Sequence, residues 1–452
     1  MGRNHRTVTA RAVPPPGAAP SDLLGPTSPV PTSTARSEGY ALERVLGGDG
    51  LHAVFQPIVH LDTGATVGYE ALARGPHGSA IESPEVLLRA AAERGVLADF
   101  DWRCRLTALR SAAAADYPTS LLLFLNTEPA SLTEPVRTDI WEAVQAGSQG
   151  RAIVLEFTER SLSDNPRAVL EAADWARLAG MSIALDDVGA EPMSLALLPI
   201  LRPDIVKLDL RLLQRRTLAS ESIVHAVRAY AESADALVLA EGIETDAHIG
   251  VALSLGAVLG QGWLLGRPGP LPVTLPRGAP LQLNPRPTPA ADFASPFDVA
   301  VAGDRSVRRA TRGNLLPLSM SLERAAELEE IPPLLLASFQ HAARFTTATA
   351  RRYRRLAVTC PLVAVFGVGM PAEPAEGVRG VDIAPSDAFA EEWTVIVLGA
   401  HHAAALLARP VPAETGSGAD EVFDYIVTHD RDVVTAVAGH ALRRISSRPH
   451  RE

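Results

Sequence analysis

Along residues 54–262, short apolar runs alternate with longer segments whose apolar positions recur at helical spacing. Runs of this length are typical of buried strands, and the segments between most of them predict amphipathic helices. The runs are VFQPIV (54–59), TVGYEAL (66–72), SLLLFLN (120–126), AIVLEF (152–157), SIALDDV (182–188), DIVKLDL (204–210), ALVLAEGIE (236–244) and AVLGQG (257–262). Such βα units predict a parallel sheet, and about eight strands in roughly 230 residues favour an α/β fold of the (β/α)8 barrel type.

Two proline-rich stretches divide the chain. Residues 1–38 contain almost no large apolar residue, which predicts a disordered tail. Residues 271–296 have the composition of a linker. These stretches leave a first domain at 39–270 and a second at 297–446. In the second domain, helical segments precede strand-like runs, so we expect a smaller α/β or α+β domain of the kind found in sensory modules.

The overall composition excludes several classes of protein. The net charge of −10 provides no basic surface for duplex nucleic acid. Cys104 and Cys360 are far apart and each alone, so neither a disulfide framework nor a cysteine zinc site is expected, and a reducing cytoplasm is the predicted location. The longest apolar stretch, 393–408, is short for a membrane span and contains two histidines, so no membrane partner is expected.

Nearly every apolar run of the first domain ends in an ionisable or amide side chain. These residues are, in order, Glu70, Asn126, Glu156, Asp186, Asp187, Lys207, Asp209, Glu241 and Gln261. Because the carboxyl ends of all strands meet at one face of a barrel, we expect these side chains to share a pocket. One such acid alone is better explained as a helix cap or a solvated loop residue, but this explanation does not account for acids at one end of almost every strand.

This set of side chains indicates a divalent metal centre. Carboxylate and amide oxygens are the ligands that Mg²⁺ and Mn²⁺ prefer. The adjacent carboxylates of Asp186 and Asp187 repel each other unless cations lie between them. Two metal ions that share a carboxylate are the arrangement used for in-line displacement at phosphorus. The sequence therefore predicts two Mg²⁺ or Mn²⁺ ions in one active site.

The 42 lysine and arginine residues of the chain include a single lysine, Lys207, which lies in IVKLDL. A lysine ammonium is a compact charge, whereas an arginine guanidinium is a planar fork. Its retention at this position suggests a site where a fork does not fit. The alternative is the chance retention of one surface lysine.

Seven segments together resemble the EAL domain, a family that hydrolyses cyclic di-GMP to linear pGpG on a modified barrel. They agree with that family in order and spacing, over about residues 40–270. The segments are YEALAR (69–74), FLN (124–126), LEFTE (155–159), ALDDVG (184–189), IVKLD (205–209), AEGIE (240–244) and GQGWLLGRP (260–268).

The resemblance implies a role for each matching residue. The implied metal ligands are Glu70, Asn126, Glu156 and Asp186 for one ion and Asp186, Asp187 and Glu241 for the other. The implied catalytic or supporting residues are Lys207, Glu241, Gln261, Glu159 and Glu244, and the implied substrate contacts are Arg74, Gln56 and Asp209. A water activated between the two ions would attack phosphorus in line, so no covalent nucleophile is required.

One segment departs from the family pattern. Family members usually have DDFGTGYSSL, whereas this chain has DDVGAEPMSL at 186–195. Pro192 stiffens this loop, and Glu191 adds negative charge near the carboxylates. In the family the loop couples dimerisation to metal and substrate binding, so a homodimer through the barrel is one expected assembly. We expect weak or conditional activity.

The second domain resembles the DICT domain, a presumed sensory module found beside signalling enzymes. The resemblance is based on LSMSLERAAE, the strand at Trp393 and FDYIVTHDRDVV. It implies regulation of the first domain by a signalling ligand or protein that the sequence does not identify. The histidines of this domain form no metal-ligand spacing.

Three hypotheses for function follow. In the first, the chain is a cyclic di-GMP phosphodiesterase regulated by its C-terminal domain. In the second, it is a cyclic di-GMP receptor with little or no turnover, because the loop at 188–193 is altered. In the third, both domains are protein-docking surfaces. The complete set of strand-end ligands favours the first.

Overall fold

The computed structural model describes two domains joined by a partly described connection. The residues that it describes are 33–134, 137–158, 164–188, 193–210, 218–277, 281, 283, 293–303, 306–412 and 421–445. Glu159 and most of the altered loop, 189–192, therefore lie outside the described residues.

The first domain is a closed barrel of eight strands arranged in sequence order. The strands are β1 (His52–His60), β2 (Thr66–Arg74), β3 (Leu122–Asn126), β4 (Ala152–Thr158), β5 (Ser182–Asp186), β6 (Ile205–Asp209), β7 (Leu237–Glu241) and β8 (Leu259–Gly260). Every strand falls on one of the apolar runs in the sequence. The predicted α/β barrel is confirmed.

The barrel differs from the predicted all-parallel sheet at its first strand. β1 is antiparallel to both neighbours, β2 and β8, whereas β2 to β8 are parallel. Its connection to β2 is a short turn in which Gly64 has a φ of +67°. A connection this short can join only antiparallel strands, because a parallel crossover needs a dozen or more residues.

Helices cover the outside of the barrel and connect its strands. They are α1 (Ser33–Leu46), α2 (Pro84–Glu93), α3 (Leu97–Ala114), α4 (Pro129–Thr133), α5 (Thr138–Ser148), α6 (Pro166–Leu178), α7 (Met193–Leu201), α8 (Leu218–Ala234) and α9 (Asp246–Ser254). α1 starts at Ser33, within the 1–38 segment for which disorder is predicted, and residues 1–32 of that segment lie outside the described residues, so its disorder stays a prediction. Leu42 and Val45 of α1 are buried, and this apolar contact accounts for the ordered helix.

Alternation along the strands places the polar site above an apolar core. Residues two positions apart on a strand face the same side of the sheet. The interior core contains Ile58, Leu122, Phe124, Val154, Ala184, Ile205, Leu239 and Leu259, all of them buried. Two positions beyond Phe124, Val154, Ala184, Ile205, Leu239 and Leu259 stand Asn126, Glu156, Asp186, Lys207, Glu241 and Gln261. The polar residues therefore form the next layer, at the carboxyl ends of the strands.

The second domain is a seven-stranded mixed sheet with helices on both faces, which confirms the predicted α/β class. Its strands are β9 (Arg308–Thr311), β10 (Leu334–His341), β11 (Val363–Val368), β12 (Arg379–Asp382), β13 (Trp393–Leu398), β14 (Ala403–Pro410) and β15 (Val422–Thr428). They lie in the order β12-β11-β10-β13-β14-β15-β9. Its helices are α10 (Pro296–Ala302), α11 (Arg312–Leu328), α12 (Thr347–Thr359) and α13 (Arg431–Leu442).

The two faces of this sheet have separate apolar contacts. α11 and α12 pack on one face, and α10 and α13 pack on the other. The second face belongs to the same apolar core as the barrel helices, so the two domains pack against each other. Among the described residues, no helix combines the length and apolar character needed to cross a lipid bilayer.

Candidate metal centre

Four carboxylates surround the ammonium of Lys207 at the mouth of the barrel. Lys207 Nζ lies 2.9 Å from Glu156 Oε1, 2.9 Å from Glu241 Oε1, 3.2 Å from Asp186 Oδ1 and 3.6 Å from Glu70 Oε2. The Lys207 side chain is only 1% exposed. Side chains from β2, β4, β5, β6 and β7 therefore meet in one cluster, as the positions at the strand ends predict.

Two amide side chains complete the cluster on the side of Glu70. Asn126 Nδ2 donates to Glu70 Oε1 at 2.8 Å, and Gln261 Nε2 donates to Glu70 Oε2 at 2.8 Å. These bonds leave the amide oxygen of Gln261 buried without a hydrogen-bond partner, and one carboxylate oxygen of Glu156, Oε2, also has none. A buried oxygen that accepts no hydrogen bond has its lone pairs available to coordinate a cation.

A second group of oxygens lies beside the cluster. Oxygens of Asp186, Asp187 and Glu241 all lie within 4.8 Å of one another. Asp187 has a φ of +56°, a left-handed conformation that aspartate tolerates better than most residues. Its backbone N–H donates to Asp186 Oδ1 at 2.9 Å. This turn brings two successive carboxylates to the same mouth, although successive residues on a strand would face opposite sides.

The electrostatics of the cluster differ from one carboxyl to the next. Burial and the neighbouring charge of Glu70 raise the pKa of Glu156 well above its usual value, against the opposing effect of Lys207. Burial also raises the pKa of Glu241 to about 8, although Lys207 lowers it. For Glu70, burial is outweighed by Lys207 and by the amides of Gln261 and Asn126, so its pKa is lowered. Four carboxylates raise the pKa of Lys207 against the effect of its burial.

The donor set fits divalent cations. Four carboxylates face a single ammonium, so the ionised cluster has an excess of negative charge that is partly buried. Carboxylate and amide oxygens suit Mg²⁺ or Mn²⁺, and a cation among them would favour ionised carboxyls. Glu70, Asn126, Glu156 and Asp186 are the residues predicted to hold one ion, and in the structure the Lys207 ammonium contacts the three carboxylates among them. Asp186, Asp187 and Glu241 are positioned to hold a second.

Other residues expected at the site lie around this cluster. Gln56 on β1 is the register partner of Glu70, and its Nε2 donates to Gly266 O at 3.1 Å. Asp209 is buried and is the register partner of Glu241 on β7.

Among the described residues, Arg74 and Glu244 make no side-chain contact with the cluster. Arg74 ends β2, and its guanidinium donates to the Ala73 carbonyl at 2.8 Å. Glu244 is exposed beyond β7, and its backbone N–H donates to His248 Nδ1 at 3.2 Å.

One exposed aromatic residue close in sequence to Gln261 was not indicated by the pattern of strand ends. Trp263 is 59% exposed, and the Arg267 guanidinium lies 4.6 Å from the centroid of its ring. It stands two residues beyond Gln261. A large aromatic residue directly after a polar strand end is the only signal that the sequence offers for it.

Fold and site together define a barrel with an acidic centre for divalent cations at the carboxyl ends of its strands. The chain belongs to the EAL domain family, whose family model matches residues 40–268. Residues 301–410 match the family model described as "Sensory domain in DIguanylate Cyclases and Two-component system", which is the DICT domain. Both resemblances seen in the sequence are thus confirmed.

Proteins similar to this chain share its barrel domain. A Pseudomonas aeruginosa protein named as a cyclic di-GMP phosphodiesterase is 30% identical over 49% of this chain and 38% of its own length. RocR of the same species, also named as a cyclic di-GMP phosphodiesterase, is 27% identical over 50% of this chain and 59% of its own length. The solved Klebsiella pneumoniae BlrP1 manganese/cy-diGMP complex is 29% identical, with a TM-score of 0.43, over 49% of this chain and 57% of that chain.

The first curated relatives are much longer than the matched region. The chain spans only 32%, 28% and 27% of the length of three curated relatives, from Azorhizobium caulinodans, Sinorhizobium fredii and Caulobacter vibrioides. Most of the length of each of these relatives therefore lies outside the region that matches this chain.

Proposed function

We propose that this chain is a phosphodiesterase of the EAL type that hydrolyses cyclic di-GMP to linear pGpG with two divalent ions, Mg²⁺ or Mn²⁺. The observation that carries the proposal is the cluster of carboxylates from β2, β4, β5 and β7 around Lys207 at one mouth of the barrel. The assignment of cyclic di-GMP as the substrate is based on membership of the EAL family and on relatives that are named as cyclic di-GMP phosphodiesterases.

The side chains divide the chemistry between them. Divalent ions in such a site would lower the pKa of a water molecule, so that it can lose a proton and attack phosphorus near neutral pH. The carboxylates of Glu70, Glu156 and Asp186 hold the positive charge in place. The Lys207 ammonium would provide N–H donors where negative charge develops on phosphate oxygens. Gln261, already bonded to Glu70, fixes the orientation of the attacking group by its amide.

The substrate contacts belong to the rim of the pocket. Arg74 offers a guanidinium fork that matches a phosphate oxygen pair. Gln56 and Asp209 provide an amide and a carboxylate for the polar edges of the dinucleotide. Glu159 and Glu244 would support the neighbouring loops.

The decisive experiment is hydrolysis of cyclic di-GMP by the purified full-length chain. With Mn²⁺, we expect linear pGpG as the product, resolved by ion-pair chromatography. Glu70→Ala removes a carboxylate that accepts from both Asn126 and Gln261, so it should reduce turnover by at least about a hundredfold. Glu85→Ala, which removes an exposed carboxylate on α2, is the matched control and should behave like the wild-type protein.

Two results would contradict the proposal. Tight calorimetric binding of cyclic di-GMP without metal-dependent product would make the chain a receptor, in keeping with its altered loop at 188–193. No binding and no product would leave the domains as protein-docking surfaces. Regulation by the C-terminal domain is part of the proposal, and homodimerisation through the barrel stays a prediction.

A further inference from the structure

The C-terminal domain contacts one face of the barrel, formed by α6 and α7. Arg443, directly after α13, pairs with Asp174 on α6 at 2.7 Å between Nη1 and Oδ2. Gly439 of α13 lies against Ile200 of α7 so closely that a Cβ there would stand 3.3 Å from Ile200 Cγ2. An ion pair and an apolar contact thus join α13 to two neighbouring helices of the barrel.

A third contact comes from the edge of the second sheet. Arg379, the first residue of β12, is buried, and its Nη2 donates to the backbone carbonyl of Asp164 at 3.2 Å. Asp164 precedes Asn165, whose side chain caps α6 by accepting from Ala168 N. The second domain therefore holds the start of α6 as well as its middle.

The two barrel helices contacted in this way follow the strands that carry metal ligands. α6 is the next described helix after β4, which contains Glu156. α7 begins at Met193, five positions after Val188, and the four residues between them lie outside the described part of the chain. Val188, the last described residue of that turn, is buried, and its N–H donates to the Lys207 carbonyl at 3.2 Å. The turn is thus fixed to β6 at one end and leads into α7 at the other.

α7 has few ways to move independently of its neighbours. Its residues Leu195, Ala196, Leu197 and Leu198 are buried, and Ile200 faces the second domain. A short helix packed on all these sides transmits a displacement to the residues at its ends, because close-packed interiors do not absorb it.

The contact between the domains covers only part of the shared face. A cavity of about 1450 Å³ lies beside it, lined by residues of α6, α7 and α8 and by residues of α13 and β12. Tyr230 and Arg202 border it from the barrel, and Arg431 and His440 border it from the second domain. Interfaces within one chain that are partly open and partly polar resemble transient interfaces and can separate.

We propose that docking of the C-terminal domain on α6 and α7 holds the Asp186–Asp187 turn in its metal-binding arrangement. This inference rests on the proposed function for the role of the metal centre. In the docked state, oxygens of Asp186, Asp187 and Glu241 lie within 4.8 Å of one another, close enough to share a cation. Undocking removes the contact on Ile200 of α7 and loosens the turn that precedes this helix. The partner that this barrel face recognises is therefore the second domain of its own chain.

The test is a charge swap across the interface in the full-length protein. Asp174→Arg and Arg443→Asp each replace the pair by like charges, and the double variant restores an opposite pair. For each single variant we expect faster hydrogen–deuterium exchange in 182–188 and 193–201 and about three- to tenfold weaker Mn²⁺ binding by calorimetry. The double variant should recover both, and Arg89→Asp, an exposed charge reversal on α2, should change neither.

Each outcome separates this inference from the proposed function. If both single variants exchange hydrogen and bind Mn²⁺ like Arg89→Asp, docking does not control the turn and the inference is overturned, whether or not the protein hydrolyses cyclic di-GMP. If the swap pattern holds but the wild-type protein forms no pGpG, the function fails and the docking effect stands. Recovery in the double variant also excludes simple misfolding of the single variants. A double variant that does not recover overturns the inference.

Discussion

At the scale of single residues, the centre depends on the one lysine of the chain. Its ammonium contacts four carboxylates at 2.9 to 3.6 Å while the side chain is almost fully buried. A compact ammonium has three donors that can point to several sides, whereas a guanidinium is planar and wider. The contacts of Lys207 explain why this position has kept a lysine in an arginine-rich chain, and the alternative of a chance surface lysine is wrong.

Removing this ammonium should destabilise the barrel in a pH-dependent way. In Lys207→Met, without divalent metal, we expect the free energy of unfolding at pH 8.5 to fall by about 3 kcal/mol, because four carboxylates lose the ammonium that contacts them. The pKa of Glu156 is raised and that of Glu241 is about 8 even with Lys207 present, so both rise further without it. Protonation neutralises these carboxyls at low pH, so stability is retained there and is lost progressively as the pH rises from the ordinary carboxyl range towards the raised pKa values, which in the variant lie above about 8 for Glu241.

The measurement is urea unfolding of Lys207→Met and the wild-type protein at pH 5 and pH 8.5 in the presence of a chelator. Arg89→Met, which removes an exposed arginine on α2, serves as the control. An equal loss of stability at the two pH values would show that the ammonium does not balance these carboxylates.

At the scale of elements, the loop after β8 fixes the position of Gln261. Gln261 N donates to the Ala240 carbonyl at 2.9 Å, and the Ile243 N–H donates to the Gln261 carbonyl at 3.1 Å. The next residue, Gly262, lies so close to the backbone of Ile243, two residues after β7, that a Cβ on Gly262 would stand 2.2 Å from the Ile243 carbonyl oxygen. Only glycine permits this approach, so the loop depends on that residue.

We therefore expect Gly262→Ala to displace the loop and with it the Gln261 amide. A clash with backbone cannot be relieved by a side-chain rotation, so the variant should lose about tenfold or more in turnover and unfold at a lower temperature. The matched control is Gly250→Ala on α9, where an added Cβ meets nothing within 4 Å. Turnover and a thermal scan of both variants check this, and a Gly262→Ala protein that matches Gly250→Ala would contradict it.

The same scale shows what the sequence could predict of the fold. Every strand of the barrel coincides with an apolar run, and the alternation that buries Val154 also orients Glu156, so the cluster followed from strand ends. The direction of β1 was missed because the apolar pattern of a strand does not encode its sense, although the short spacing between the runs at 54–59 and 66–72 already excludes a parallel crossover. Helix α1 was missed because Leu42 and Val45 are ordered by tertiary contacts rather than by the composition around them.

At the scale of the whole molecule, no sequence pattern indicated the interface between the domains. Asp174 and Arg443 are ordinary helix-surface charges in a helical pattern, and only the three-dimensional arrangement pairs them. Gly439 is likewise inconspicuous in the sequence, although Ile200 lies against it. Sequence motifs can locate a metal centre because its chemistry allows only a few residue types. A domain interface can be formed by many different pairs of complementary side chains, so it leaves no motif.

The metal centre should couple to the stability of the whole chain. A cation that binds only the folded state stabilises it by about 2.7 kcal/mol at a hundred times its Kd. For a domain of this size, that corresponds to roughly 5 °C or more in Tm. We expect Mn²⁺ to raise the main thermal transition of the wild-type protein and a chelator to reverse the increase. Asp186→Asn should abolish the increase, since Asp186 belongs to both groups of candidate ligands.

The docking of the two domains adds a second expectation to the same thermal scan. If α7 connects the turn at Asp187 to the C-terminal domain, the shift caused by Mn²⁺ should be smaller in Arg443→Asp than in the wild-type protein. The two variants then distinguish the loss of a metal ligand from the loss of the contact between the domains. Asp186→Asn should remove the Mn²⁺ shift, whereas Arg443→Asp should only reduce it. An Mn²⁺ shift of equal size in Asp186→Asn and the wild-type protein would mean that the ion binds elsewhere, and the carboxylate cluster would then not be the metal centre.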